Sequence, residues 1–134
     1  MKKYLSLLTA MLLISCSNSD RSNEYNPVES ELAGKTYDYL LFESEQECIN
    51  AQPDPNFFLN CHREIHFVDE SNAQIMLTDM VIPVKYTIDA NKIVIAFSTD
   101  QSSTLTFEKV NNASLKLLND DSVWNERTGE SIWD

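Results

Sequence analysis

Apolar residues recur at every second position over most of the chain from Gly34 onward, and this spacing constrains the fold more than any other feature. Ile65 and Phe67, for example, alternate with Glu64 and His66. Because successive side chains of a strand point to opposite faces, the spacing predicts half-buried β-strands. Eight strands are predicted, at about residues 35–43, 63–68, 73–78, 80–88, 92–98, 103–110, 114–118 and 122–127.

Turn-forming residues separate the predicted strands. Clusters rich in Asn, Asp and Ser recur every 8 to 13 residues, and side chains of these types bond to their own backbone in turns. Short sequential hairpins favour an antiparallel meander, and a meander of about eight strands loses its exposed edges by closing into a barrel. Pro83 cannot donate to a ladder, which predicts a sheet edge or a bulge in the fourth strand.

One short helix is predicted between the first two strands. Ser44 and Glu47 have the spacing of a capping box, and Pro53 limits the length of the segment. We expect one or two helical turns at 45–51, with a plain loop as the alternative. The fold class is therefore all-β, with a small barrel and at most one short helix.

Length and charge restrict the function. A chain of 134 residues fits one domain, and a formal net charge of −11 disfavours nucleic acid as a partner. Two glycines leave no Gly-rich phosphate cradle. No nucleophile elbow and no His-Glu-x-x-His motif is present, so neither enzymatic activity nor a cofactor is expected.

The N-terminus has the layout of a secretory leader. Lys2 and Lys3 precede an apolar run over 4–14 that is too short to span a bilayer. The sequence Leu-Ile-Ser-Cys that ends at Cys16 resembles the bacterial lipobox. An ordinary signal peptide or a buried N-terminal helix would not explain the charged start and the abrupt change to polar residues at 17–20.

The lipobox resemblance implies a bacterial envelope lipoprotein. Cleavage before Cys16 and acylation of its thiol would anchor the protein on the outer membrane, and two or three acyl chains together hold a protein on a bilayer stably. The resemblance leaves open whether the periplasmic face or the cell surface carries it. The expected organisation is a signal peptide at 1–15, a lipidated Cys and flexible tether at 16–31, and a barrel domain at 32–134.

The remaining cysteines form an even pair. Cys48 and Cys61 would lie in an oxidising compartment, so a disulfide is expected, and it would contribute about 3 kcal/mol in the chain-entropy model. Two free thiols or two metal ligands are the alternatives, although neither cysteine belongs to a C-x-x-C motif.

Four short segments resemble the small lipocalin-like domains of bacterial lipoproteins. They are Leu-Ala-Gly-Lys-Thr-Tyr at 32–37, Ile-His-Phe-Val-Asp-Glu-Ser at 65–71, Tyr-Thr-Ile at 86–88 and Leu-Thr-Phe at 105–107. The resemblance covers roughly residues 31–127 and implies a small barrel that binds an apolar ligand. An eight-stranded barrel is just wide enough either to hold one small molecule or to fill with its own side chains.

Two functions from different classes follow. In the first, a lipid-anchored, non-enzymatic protein binds a small apolar ligand in a cavity lined by Tyr37, Ile75, Ile95 and Phe107. In the second, the barrel is filled, and the protein is an interaction module, such as an inhibitor, an immunity factor or an assembly accessory. An exposed apolar spot at Phe57 and Phe58 would then meet a partner in the envelope. Near the end of the first strand, Asp38, Glu43, Glu45 and Glu47 form a local acidic patch, which is expected to be solvated surface or, in this second case, a docking site for a cationic partner.

His62, Glu64 and His66 are weak candidates for a metal site. Positions i, i+2 and i+4 of a strand share one face, and imidazole and carboxylate groups bind first-row metals. Alternate strand residues are about 6.6 Å apart, however, which puts the two imidazoles too far apart to share one ion without distortion of the strand. A polar face without a metal is therefore the expectation.

Overall fold

The computed structural model describes residues 31–54, 56–97 and 103–134. The predicted signal peptide at 1–15 and nearly all of the predicted tether at 16–31 lie outside these residues. The eight strands are β1 Thr36–Leu40, β2 His62–Phe67, β3 Asn72–Met76, β4 Val81–Asp89, β5 Lys92–Phe97, β6 Thr104–Asn111, β7 Ser114–Leu117 and β8 Val123–Glu126, and the helix α1 is Glu45–Ala51. The predicted all-β fold is confirmed.

The strands form one closed antiparallel barrel in sequence order. Closure comes from the pairing of β1 with β8, in which Tyr37 lies opposite Glu126 and Asp38 opposite Asn125. Each strand therefore has a neighbour on both sides, which removes the exposed edges of an open sheet. Pro83 lies opposite Gln74 of β3, and the described pairing of β4 with β5 begins one residue later, at Val84. Pro83, which has no N–H to donate, thus lies in the part of β4 for which pairing is described with β3 and not with β5.

The inward-facing side chains form a single core. Phe67 packs edge-on against Tyr37 and Tyr86, and Phe107 packs edge-on against Trp124. Such edge-to-face pairs are favoured by the quadrupoles of the rings. The buried cluster consists of Leu32, Tyr37, Ile65, Phe67, Ala73, Ile75, Val84, Tyr86, Ile93, Ile95, Phe107, Leu115, Leu117 and Trp124.

The indole of Trp124 has its polar atom satisfied inside this core. Nε1 donates to Ser122 Oγ at 2.8 Å, and that hydroxyl in turn donates to Asp120 Oδ1 at 2.5 Å. Hydrogen bonds from Ser122 are the main cause that lowers the pKa of Asp120. The β7–β8 turn therefore serves as the hydrogen-bonding partner of the largest core residue.

Helix α1 and the segment that follows it connect β1 to β2 outside the barrel. Ser44 caps the helix, because its hydroxyl accepts from the Glu47 backbone N–H at 3.2 Å, and Glu47 Oε2 accepts from the Glu43 N–H at 2.9 Å. The predicted helix at 45–51 is confirmed. The predicted disulfide joins Cys48 to Cys61, with their Cα atoms 5.7 Å apart.

No helix in the described part of the chain has the length and apolar character needed to cross a bilayer.

Candidate functional site

The segment that follows α1 is held in place from several directions. The disulfide ties Cys61, at the end of the segment, to Cys48 within α1. The side chain of Gln52, at the start of the segment, reaches across it: Nε2 donates to the carbonyls of Cys48 and Leu59, and Oε1 accepts from the Leu59 N–H at 2.7 Å. The Leu41 N–H donates to the Cys61 carbonyl at 2.9 Å, which ties the end of the segment to the end of β1. We call residues 52–61 the stapled loop.

The stapled loop exposes two adjacent aromatic side chains. Phe57 is 59% exposed and Phe58 is 72% exposed, and Ile49 on the neighbouring face of α1 is 56% exposed. Exposed apolar residues that occur singly are common on protein surfaces, whereas a group of them on a fixed loop is typical of an interaction site. The structure therefore places the predicted partner residues Phe57 and Phe58 at the surface.

Phe58 also lines a groove of about 280 Å³ between the stapled loop and the C-terminal segment. The two walls of this docking groove are largely apolar, with Ile49 and Phe58 on one side and Ile132 and Trp133 on the other. Its remaining lining residues are Glu45, Asn60, Cys61 and His62. A groove with these walls can accept a large apolar side chain, and Glu45 places a negative charge beside it.

Ile132 and Trp133, which form the C-terminal wall of the groove, lie a few residues after Arg127 in the sequence. Arg127 is the centre of an ion-pair cluster on the outside of the barrel. Arg127 Nε donates to Asp38 Oδ2 at 2.7 Å, and Nη2 donates to Asp38 Oδ1 at 2.6 Å and to Glu64 Oε2 at 2.5 Å. The hydrogen bond to Asp38 is the main cause that raises the pKa of Arg127, so the guanidinium remains charged. The backbone of Arg127 also donates to the Thr36 carbonyl at 2.8 Å. These contacts fix the chain where it leaves β8 and begins the segment that carries Ile132 and Trp133.

The predicted metal candidates lie on one face of β2 but do not converge. His62 Nε2 lies 3.4 Å from Glu64 Oε2 and 3.9 Å from Asp38 Oδ1, whereas His66 Nδ1 is engaged with Thr36 Oγ1 at 2.9 Å. The group with donor atoms within 4.8 Å of one another is Asp38, His62 and Glu64. Arg127 supplies the positive charge for both carboxylates of this group, so the protein itself provides the cation that a metal would otherwise contribute.

The predicted ligand-binding residues all lie in the core. Tyr37, Ile75, Ile95 and Phe107 are at most 1% exposed. All four contact core neighbours, the two isoleucines across paired strands and the two aromatic residues through ring packing. Tyr37 also lines a cavity of about 190 Å³ at one end of the barrel. Binding of an apolar ligand at these residues stays a prediction.

Sequence reasoning missed two features of the site. Asp38 was placed in a solvated acidic patch with Glu43, Glu45 and Glu47, but its side chain is buried and paired with Arg127. The contribution of Ile132 and Trp133 to the groove was also missed. Their position depends on the contact of Arg127 with β1, which lies 89 residues earlier in the sequence, and local spacing carries no signal for such a contact.

No family model, curated protein or solved structure matches this chain. The fold by itself defines the class, an eight-stranded closed antiparallel β-barrel with a disulfide-linked excursion between its first two strands.

Proposed function

We propose that this protein is a lipid-anchored bacterial envelope protein that binds a basic protein partner through the docking groove. The single observation that carries the proposal is the exposure of Phe57 and Phe58 on a loop held by a disulfide and by the Gln52 hydrogen bonds. Fixing these aromatic groups before binding reduces the entropy that association costs. Aromatic side chains in such positions are frequent binding hot spots.

The charge of the chain indicates what kind of partner fits. The net charge is −11, and Glu45 lines the groove while Glu43 and Glu47 are exposed close to it. The acidic residues favour a partner that presents an apolar side chain next to Lys or Arg residues. They disfavour an anionic membrane surface, which attracts basic and not acidic segments.

The lipid anchor rests on the leader and on the lipobox resemblance at Cys16. A flexible tether over 16–31 would let the barrel reach a partner at some distance from the bilayer. We propose the outer membrane as the site of anchoring, because the resemblance is to envelope lipoproteins.

We propose a binding role and no catalytic one. His62 lines the docking groove beside Cys61, but this cysteine is disulfide-bonded and has no free thiol to act as a nucleophile. A filled barrel would serve such a role as a rigid support for the groove, and the ring contacts in the core support this interpretation.

A comparison of two double variants tests the proposal. Phe57→Ser with Phe58→Ser removes the exposed aromatic groups, whereas Val110→Ser with Val123→Ser removes exposed apolar groups elsewhere on the barrel; Phe58 is 72% and Val110 56% exposed. We expect tagged wild type and the valine variant to retain the same basic protein from solubilised envelopes, and the phenylalanine variant to lose it. Equal retention by both variants would contradict the proposal, as would a retained partner that is acidic.

A further inference from the structure

A second site lies at the end of the barrel where β1 begins and β6 ends, away from the docking groove. Its cavity of about 190 Å³ is lined by Glu31, Leu32, Lys35, Tyr37, Lys109 and Asn112. Three of the polar residues here face inward. Tyr37 is buried, Lys35 precedes it by two positions, and Lys109 lies opposite the buried Leu115 of β7. Residues directly opposite each other on paired strands share a face.

Lysine side chains are mostly exposed in folded proteins, so two that face inward at one end of a barrel are unusual. Each of the two is paired in this structure: Lys35 Nζ lies 3.0 Å from Glu126 Oε2, and Lys109 Nζ lies 2.6 Å from Glu31 Oε2. The two ion pairs differ in how exposed their acidic partners are. Glu126 is part of β8 and faces Tyr37 across the β1–β8 pairing, with a side chain that is 23% exposed, whereas the side chain of Glu31 is 76% exposed.

The Glu31 carboxylate therefore shows where a carboxylate can pair with Lys109. Because Glu31 is exposed, its own carboxylate can leave that position with little loss of stability. An ion pair with a solvent-exposed partner contributes little to stability. Leu32, which is buried, provides an apolar floor beside the two ammonium groups. The phenol of Tyr37 is protonated at neutral pH and can donate a hydrogen bond; burial, together with the charges of Glu126 and Glu31, raises its pKa further, to about 12.

We propose that this cavity binds a small molecule with one carboxylate and a short apolar body, and that the ligand displaces the Glu31 carboxylate from Lys109. The ligand carboxylate would pair with Lys109 and accept from neighbouring donors, and its apolar part would contact Leu32. The site is independent of the docking groove and of the proposed partner.

Benzoate is a suitable probe, with benzamide as an uncharged molecule of nearly the same shape. We would titrate the purified full chain, disulfide intact, and follow the backbone amide resonances of Leu32, Lys35 and Asn112. We expect saturable shifts with benzoate and none with benzamide. Glu31→Gln should tighten binding about fivefold, since it removes the competing carboxylate, and Lys109→Met should weaken it at least about tenfold.

Lys116→Met is the matched control, because Lys116 is also a lysine in an ion pair, 2.7 Å from Asp121, on the neighbouring strand β7. It should leave the affinity unchanged. The amide spectrum of each variant reports whether it is folded. Absence of saturable shifts in Glu31→Gln would overturn the proposal, as would equal binding of benzamide or an equal loss of affinity in Lys116→Met.

Discussion

Arg127 connects three parts of the site: β1, β2 and the C-terminal segment. It neutralises Asp38 and Glu64 on the outer wall of the barrel and fixes the start of the C-terminal wall of the docking groove. The side chain of Asp38 is only 8% exposed, so removal of Arg127 would leave a poorly solvated carboxylate without its guanidinium partner. A buried charge without a partner is far more costly than a lost surface ion pair.

We therefore expect Arg127→Met to lower the free energy of unfolding by about 2 to 3 kcal/mol. Lys116→Met, which breaks the exposed pair with Asp121, should lower the free energy of unfolding far less, because water solvates an exposed charge that has lost its partner. Urea denaturation of both variants measures the difference. Arg127→Lys should be more stable than Arg127→Met but less stable than wild type, because an ammonium group cannot bond to Asp38 through two nitrogens. Equal losses in Arg127→Met and Lys116→Met would contradict the assigned role.

Tyr37 gives the protein a specific sensitivity to alkaline pH. Its pKa is raised from 10.0 to about 12, chiefly by burial. Between these two values the unfolded chain loses the phenol proton while the folded chain retains it, so this contribution to stability is present below pH 10 and is lost as the pH rises toward 12.

Tyr37→Phe retains the ring that packs on Phe67 and removes the titrating group. The variant should lose less stability than wild type between pH 9 and pH 11, as measured by urea denaturation at both values. An identical loss in the two proteins would show that the phenol of Tyr37 does not couple to folding in this range.

Among the elements, the disulfide and the stapled loop decide whether the docking groove keeps its shape. Cys48 belongs to α1 and Cys61 precedes β2, with a sequence separation of 13. Cys48→Ala combined with Cys61→Ala should lower the free energy of unfolding by about 3 kcal/mol, because the unfolded chain regains the entropy of the open loop.

The same double variant should accelerate amide hydrogen exchange over residues 45–61, while the amides of β4, β5 and β6 keep most of their protection. In the barrel, β4, β5 and β6 are neighbours in that order. None of these three strands pairs with β1 or β2, the strands that the loop connects. Unchanged exchange over 45–61 would mean that Gln52 and the local turns hold the loop without the disulfide.

The elements were predictable because their signals are local. Alternation of apolar residues placed the strands, Ser44 and Glu47 placed the helix, and the two cysteines left after Cys16 gave the disulfide. The barrel wall between β1 and β8 also brings together residues far apart in sequence, including Arg127 with Asp38 and Glu64. Such contacts depend on how the barrel closes, so no spacing in the sequence predicted the ion-pair cluster or the C-terminal wall of the groove.

The molecule as a whole combines a rigid barrel with a proposed membrane anchor. Cys16→Ser removes the proposed site of acylation. The variant should leave the membrane fraction, since loss of the acyl chains removes about 0.8 kcal/mol for each buried methylene. Fractionation of envelopes followed by detection of the protein measures this. Continued membrane retention of the variant would contradict the lipid anchor without bearing on the docking groove.

In-cell crosslinking at position 58 is a direct test of whether the stapled loop binds a basic protein partner. A photoreactive amino acid would replace Phe58 in one protein and Val110, which is 56% exposed on β6, in another. We expect a crosslinked adduct with one basic envelope protein at position 58 and none at position 110. No adduct at position 58, or the same adduct at both positions, would contradict the proposed docking function.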